Sequence, residues 1–103
     1  MEKKVFTMKE ELKKKEIELA DTVSMMSSAN YKERFKAEYY QLAIRLVKLE
    51  AMLDKWKNGK LDFIPTCSMK TYDEQIDGMK KYLSVLNKRA EEEKIDLEWK
   101  IKA

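Results

Sequence analysis

The stretch Tyr31-Lys-Glu-Arg-Phe-Lys-Ala-Glu-Tyr-Tyr-Gln-Leu-Ala-Ile-Arg-Leu-Val-Lys-Leu-Glu-Ala-Met-Leu-Asp-Lys-Trp-Lys-Asn58 decides the fold. Phe35, Tyr39, Leu42, Leu46, Leu49, Leu53 and Trp56 recur in alternating steps of four and three residues. That spacing puts them on one stripe of an α-helix, and its unbroken seven-residue repeat is the pattern of helix-on-helix packing. Beside it runs a second stripe, Tyr40, Ile44, Val47 and Ala51. The apolar face is wider than a two-stranded seam needs, so this helix is expected to contact two or more others. Ser27-Ser28-Ala29-Asn30 offers caps before the helix, and Gly59 is placed to close it after Lys55 and Lys57.

Working outward, Leu61-Asp-Phe-Ile-Pro-Thr-Cys-Ser68 reads as a turn region, because Pro65 disfavours helix at Ile64. Ser68 or Thr71 can cap the next helix, and Thr71 with Glu74 has capping-box spacing. A further helix over residues 69–93 carries Tyr72, Ile76, Met79, Leu83, Leu86 and Ala90 in the same alternation. Gly78 inside it predicts a close helix approach. The two helices are similar in length and joined by about ten residues, so they should form an antiparallel hairpin with a crossing near about +20°. Towards the start, Leu12, Leu19, Val23 and Met26 predict an N-terminal helix over residues 7–27, capped at Thr7 with Glu10 three residues on, and interrupted by Glu16. After the hairpin, the tail Ile95-Asp-Leu-Glu-Trp-Lys-Ile-Lys102 alternates apolar and charged residues. It reads equally as a short C-terminal strand, with Leu61-Asp-Phe-Ile64 as one possible partner, or as a frayed extension of the helix.

The expectation is therefore an all-α chain: an antiparallel helical hairpin plus an N-terminal helix, residues 1–103 making a single domain, with a possible strand in the 95–103 tail. A hairpin alone buries too little to offset its ordering entropy, so the N-terminal helix or another subunit must help. An oligomeric bundle is the expected assembly. The N-terminal helix can pack in its own chain or swap.

Composition narrows the chemistry. Charged residues make up 40% of the chain with two glycines and one proline, a balance typical of long helices. The formal net charge of +3 favours solubility and is weak for a dedicated nucleic-acid binder. No apolar run suits a signal peptide or a membrane span, which predicts a cytoplasmic protein. There is no histidine, and Cys67 is the single cysteine. Neither a Cys–His pair nor a zinc site can be assembled, and Gly59 and Gly78 are too far apart for a phosphate-binding loop. No catalysis, metal or cofactor is expected. Asp73, Glu74 and Asp77 fit better as acids at a helix start than as a cation site. Cys67, beside a helix start, is either a small turn residue or an activated thiol. Met25, Met26, Met52, Met69 and Met79 read as core or adaptable interface filler.

The candidate ligand residues are Arg34, Tyr39, Tyr40, Arg45 and Arg89. In an antiparallel hairpin the end of the second long helix returns to the start of the first, so several of them can converge at one end. Tyrosine stacks on bases and arginine forks phosphates, a combination suited to a nucleotide. The alternative is that the tyrosines are seam residues and the arginines pair with Glu38 or Glu91.

Three strings, Tyr31-Lys-Glu-Arg-Phe-Lys-Ala-Glu-Tyr-Tyr-Gln-Leu42, Leu61-Asp-Phe-Ile-Pro-Thr-Cys-Ser68 and Met79-Lys-Lys-Tyr-Leu-Ser-Val-Leu-Asn-Lys-Arg-Ala90, resemble a family of small helical phage and prophage proteins of Firmicutes phages. The family takes its name from an open reading frame of a crAss-like phage, and the likeness spans Asn30 to about Leu97. It assigns no role to any residue. It implies an accessory phage protein acting by binding in the host cytoplasm: an anti-defence protein that sequesters a nucleotide immune signal, or a helical inhibitor or scaffold that binds a host defence protein through exposed apolar residues such as Trp99.

Overall fold

The computed structural model describes residues 16–101. The two long helices are where the heptads place them. Helix α2 runs over Tyr31–Lys57 and α3 over Met69–Glu93; before them come strand β1 (Glu16–Ile17), a 3-10 turn (Leu19–Thr22) and the short helix α1 (Val23–Met26), and after them strand β2 (Lys100–Ile101).

The helix ends follow local chemistry. Asn30 accepts the Lys32 amide at 2.9 Å and caps α2, and Ser68 accepts the Thr71 amide at 3.2 Å and caps α3. At the other end of α2, Gly59 adopts φ 68. The Lys60 amide then reaches the Lys55 carbonyl at 2.8 Å and the Gly59 amide reaches Trp56 at 3.1 Å. This is the paired closure of a Schellman motif. The end of α3 repeats it without glycine. Lys94 holds the left-handed conformation with φ 55, and the Ile95 amide bonds the Ala90 carbonyl at 2.9 Å.

Two clusters form the core, and both sit towards the same end of the hairpin. Phe35, Leu86, Ala90 and Ile95 are buried between α2, α3 and the start of the tail. Ile17, Met25, Ala37, Tyr40 and Ile44 are buried on the back of α2, with Leu97, Trp99 and Ile101 against them. Tyr39 packs on both. Tyr40 and Ile44 of the second apolar stripe thus find their cover in the N-terminal segment and the tail, α3 covers the first stripe, and further along the second stripe Val47 stays half-buried and Ala51 exposed. Towards the turn the seam opens. Leu46 and Leu53 remain buried, whereas Leu49, Trp56, Tyr72, Ile76, Met79 and Leu83 are half-buried.

Three expectations change. The helix expected over residues 7–27 is described only from Glu16, where it gives way to a strand, a 3-10 turn and one short helix; residues 7–15, with the Thr7 cap, lie outside the described residues. The reason is pairing: β1 lies parallel to β2, with Glu16 opposite Lys100 and Ile17 opposite Ile101. The tail therefore takes the strand alternative, but its partner is β1 and not Leu61–Ile64. Its alternation sends Ile95, Leu97, Trp99 and Ile101 inward, and Asp96, Glu98 and Lys100 outward. Lastly, Gly78 does not mark a close approach, since a Cβ built there meets nothing within 4 Å.

Candidate binding surfaces

The arginines and tyrosines of the hairpin are distributed by helical phase. Tyr40 faces the back of α2 and is 1% exposed. Its hydroxyl accepts the Trp99 amide at 3.0 Å, and its ring stacks on the Trp99 indole with centroids 5.8 Å apart. Burial pushes its pKa up, opposed by the Trp99 amide, which favours the phenolate. Tyr39 meets Tyr40 edge-on at 5.4 Å. Both are structural in the single chain. Trp99 is half-buried here, not an exposed apolar handle.

Arg34 turns back to the segment before α2, where its guanidinium donates to the Ser28 carbonyl at 2.7 Å. Arg45 lies eleven residues further on, about 16 Å along the axis at 1.5 Å per residue. It is exposed and makes no ion pair among the described residues.

Arg89 does reach the start of α2, as the antiparallel arrangement requires. Its guanidinium lies 4.8 Å from the centre of the Phe35 ring. Its Nε donates to Glu93 at 2.9 Å, and this bond raises the pKa further above its ordinary value, with Glu38 and Tyr31 adding smaller contributions. The Tyr82 hydroxyl donates to Glu38 nearby. The end of the hairpin therefore gathers Arg89, Phe35, Tyr82 and Glu38, but not Tyr40, and Glu93 and Glu38 offset much of the positive charge an anion would seek.

Two clefts lie elsewhere. One, of about 450 Å3, opens between the helices and is lined by Glu50, Leu53, Asp54, Lys57, Asp73, Ile76, Asp77 and Lys80. The Lys80–Glu50 pair at 3.5 Å crosses its side. Four acids against two lysines make it repel anions. The second, of about 360 Å3, lies between the outer face of α2 and the chain that follows it. Its lining is Val47, Lys48, Ala51, Met52, Lys55, Lys60, Leu61, Asp62 and Phe63. The Gly59 turn creates it by sending Lys60–Phe63 back along the helix. Sequence reasoning missed this cleft. The one signal for it was Lys48 and Lys55, one heptad apart and flanking the Val47 and Ala51 stripe that nothing else covers.

Among the described residues, no group of three or more acidic or cysteine side chains is placed to hold a metal, and no helix is long and apolar enough to cross a membrane. Cys67 is free and exposed.

Comparison with curated proteins returns no match, and neither does comparison with solved structures. A family model does match: the one described as Sequestin, over residues 29–92. The matched segment is the hairpin itself, from the cap of α2 almost to the end of α3. It covers more than half of the 103-residue chain, and on that match the chain belongs to the Sequestin family.

Proposed function

We propose that this chain is a non-enzymatic phage accessory protein that acts in the host cytoplasm by sequestering a nucleotide immune signal. The observation that carries the reading is the family match over the hairpin, whose name denotes sequestration. A sequestering protein needs a surface of complementary shape and charge and no reactive group. The chain fits that need: histidine is absent, and Cys67 stands alone.

A homo-oligomer is part of the same reading. Six apolar residues of the α2–α3 seam are only half-buried near the turn, while Gly78, Tyr82 and Val85 leave an open stripe along α3. A second copy of the hairpin would cover such a surface.

Native mass spectrometry of the protein taken gently from phage-infected cells tests both parts. The expected result is an oligomer that retains a nucleotide-sized adduct. A monomer without adduct, together with no melting shift for cyclic nucleotides or ADP-ribose derivatives, removes the reading.

A second reading, a protein-binding inhibitor of a host defence complex, is favoured by the hairpin tip. Ile64 is 90% exposed and Phe63 is 55% exposed. Capture of one defined defence complex, lost on Ile64→Asp, is its signature.

A further inference from the structure

We infer that the cleft between α2 and the Lys60–Phe63 segment binds a nucleoside phosphate of mononucleotide size, with Lys48, Lys55 and Lys60 on the phosphate and Phe63 on the base. The inference rests on the nucleotide-sequestration reading and moves its site away from the arginine end.

Charge is the first argument. Three lysines share a lining with one acid, Asp62. None of the three amines makes an ion pair among the described residues. Arg89 at the other end already has Glu93 as a partner. An incoming phosphate gains most where cations have no carboxylate to give up. The C-terminal end of α2 is close by and carries partial negative charge, so the attraction must come from the side chains.

Shape and apolar content are the second argument. The volume of about 360 Å3 lies at the small end of the roughly 300–1,000 Å3 usual for small-ligand sites. Val47, Ala51 and Met52 lie on the α2 side, with Phe63 on the returning chain. Phe63 is 55% exposed although the cleft is beside it, so its ring has a face to offer a base. Asp62, which would otherwise oppose the phosphate, is the chemistry that accepts hydrogen bonds from ribose hydroxyls.

Position is the third. Every lining residue falls within the segment that matches the family, residues 29–92. Trp99, which stacks on Tyr40, lies outside it.

The test is calorimetric titration of the full chain with 5′- and 3′,5′-cyclic nucleoside monophosphates, ADP-ribose and the matched nucleosides. Thermal melting of each variant serves as the folding control. Nucleotides are expected to bind and nucleosides to bind more weakly by about tenfold or more, the loss of hydrogen bonds to a charged group. K48E and K55E, with K48Q and K55Q as milder versions, should each weaken nucleotides by about tenfold. F63A should cost about tenfold through lost stacking, while R34A and R89A should stay within about twofold. Nucleotide binding that persists in folded K48E and K55E, or that is lost in R34A or R89A instead, overturns the placement and leaves sequestration standing. Failure of every nucleotide to bind the unaltered chain overturns both.

Discussion

The Tyr40 hydroxyl accepts the backbone amide of Trp99 at 3.0 Å, joining residues 59 positions apart. The same two residues stack their rings with an interplanar angle of 24°. This contact fastens the tail to the middle of the first long helix. It explains why a tyrosine on the second apolar stripe is buried although its phenol is polar: the hydroxyl has its partner.

Tyr40→Phe keeps the ring and removes the hydroxyl that accepts the Trp99 amide. The expected loss is about 1–2 kcal/mol in urea denaturation. Burial holds the folded-state pKa of Tyr40 above its ordinary 10.0. The unfolded chain therefore releases this proton first, so the contribution is fully present below pH 10 and is lost as pH rises through the raised value. Stability measured across that alkaline window should fall less steeply in Tyr40→Phe than in the unaltered chain. Equal slopes would show that Tyr40 is not the titrating group.

Gly59 and Lys94 occupy the same left-handed position at the ends of the two long helices. Their substitutions should act in opposite directions. Gly59→Ala brings a Cβ into that conformation and should cost about 1–2 kcal/mol. Lys94→Gly removes one and should gain about 0.5–1 kcal/mol. Paired denaturation curves check the signs.

Gly78→Ala should stabilise by about 1 kcal/mol, because α3 is a regular helix there and the added methyl meets open space. The measurement also reports on assembly. A loss of stability that grows with protein concentration would place a second copy against Gly78.

Leu86 is 1% exposed, whereas Leu83, one turn earlier on α3, is half-buried. Leu86→Ala should cost about 2–4 kcal/mol, and Leu83→Ala less than half as much in a dilute, monomeric sample. A cost of Leu83→Ala that rises with protein concentration towards that of Leu86→Ala would mean that a partner copy buries Leu83.

The hairpin is legible in the amino-acid sequence because its information is local and repeated. Seven apolar residues in four-three alternation, Asn30 and Ser68 as caps and Gly59 as a stop all specify the same two helices. The binding surfaces are less legible. The arginines and tyrosines can be named by chemistry, but whether a side chain turns to the core, to Ser28 or to solvent depends on helical phase relative to distant neighbours. Tyr40 goes inside because the tail covers that phase. The lysine cleft escapes a linear reading because it needs Lys48 and Lys55 on a helix beside Lys60 and Phe63 on a turn, and no spacing along the chain encodes that.

The two long helices, their ends, their antiparallel pairing and the absence of histidine chemistry are all written in the order of the amino acids. These follow from backbone geometry and periodicity, which act within a few residues. That Glu16–Ile17 is a strand, that its partner is Lys100–Ile101, that Gly78 faces open space and that the core gathers at one end are outcomes of the folded arrangement. Each depends on which distant segment arrives to share hydrogen bonds or to cover an apolar face, and short segments have too weak a preference of their own to announce the outcome.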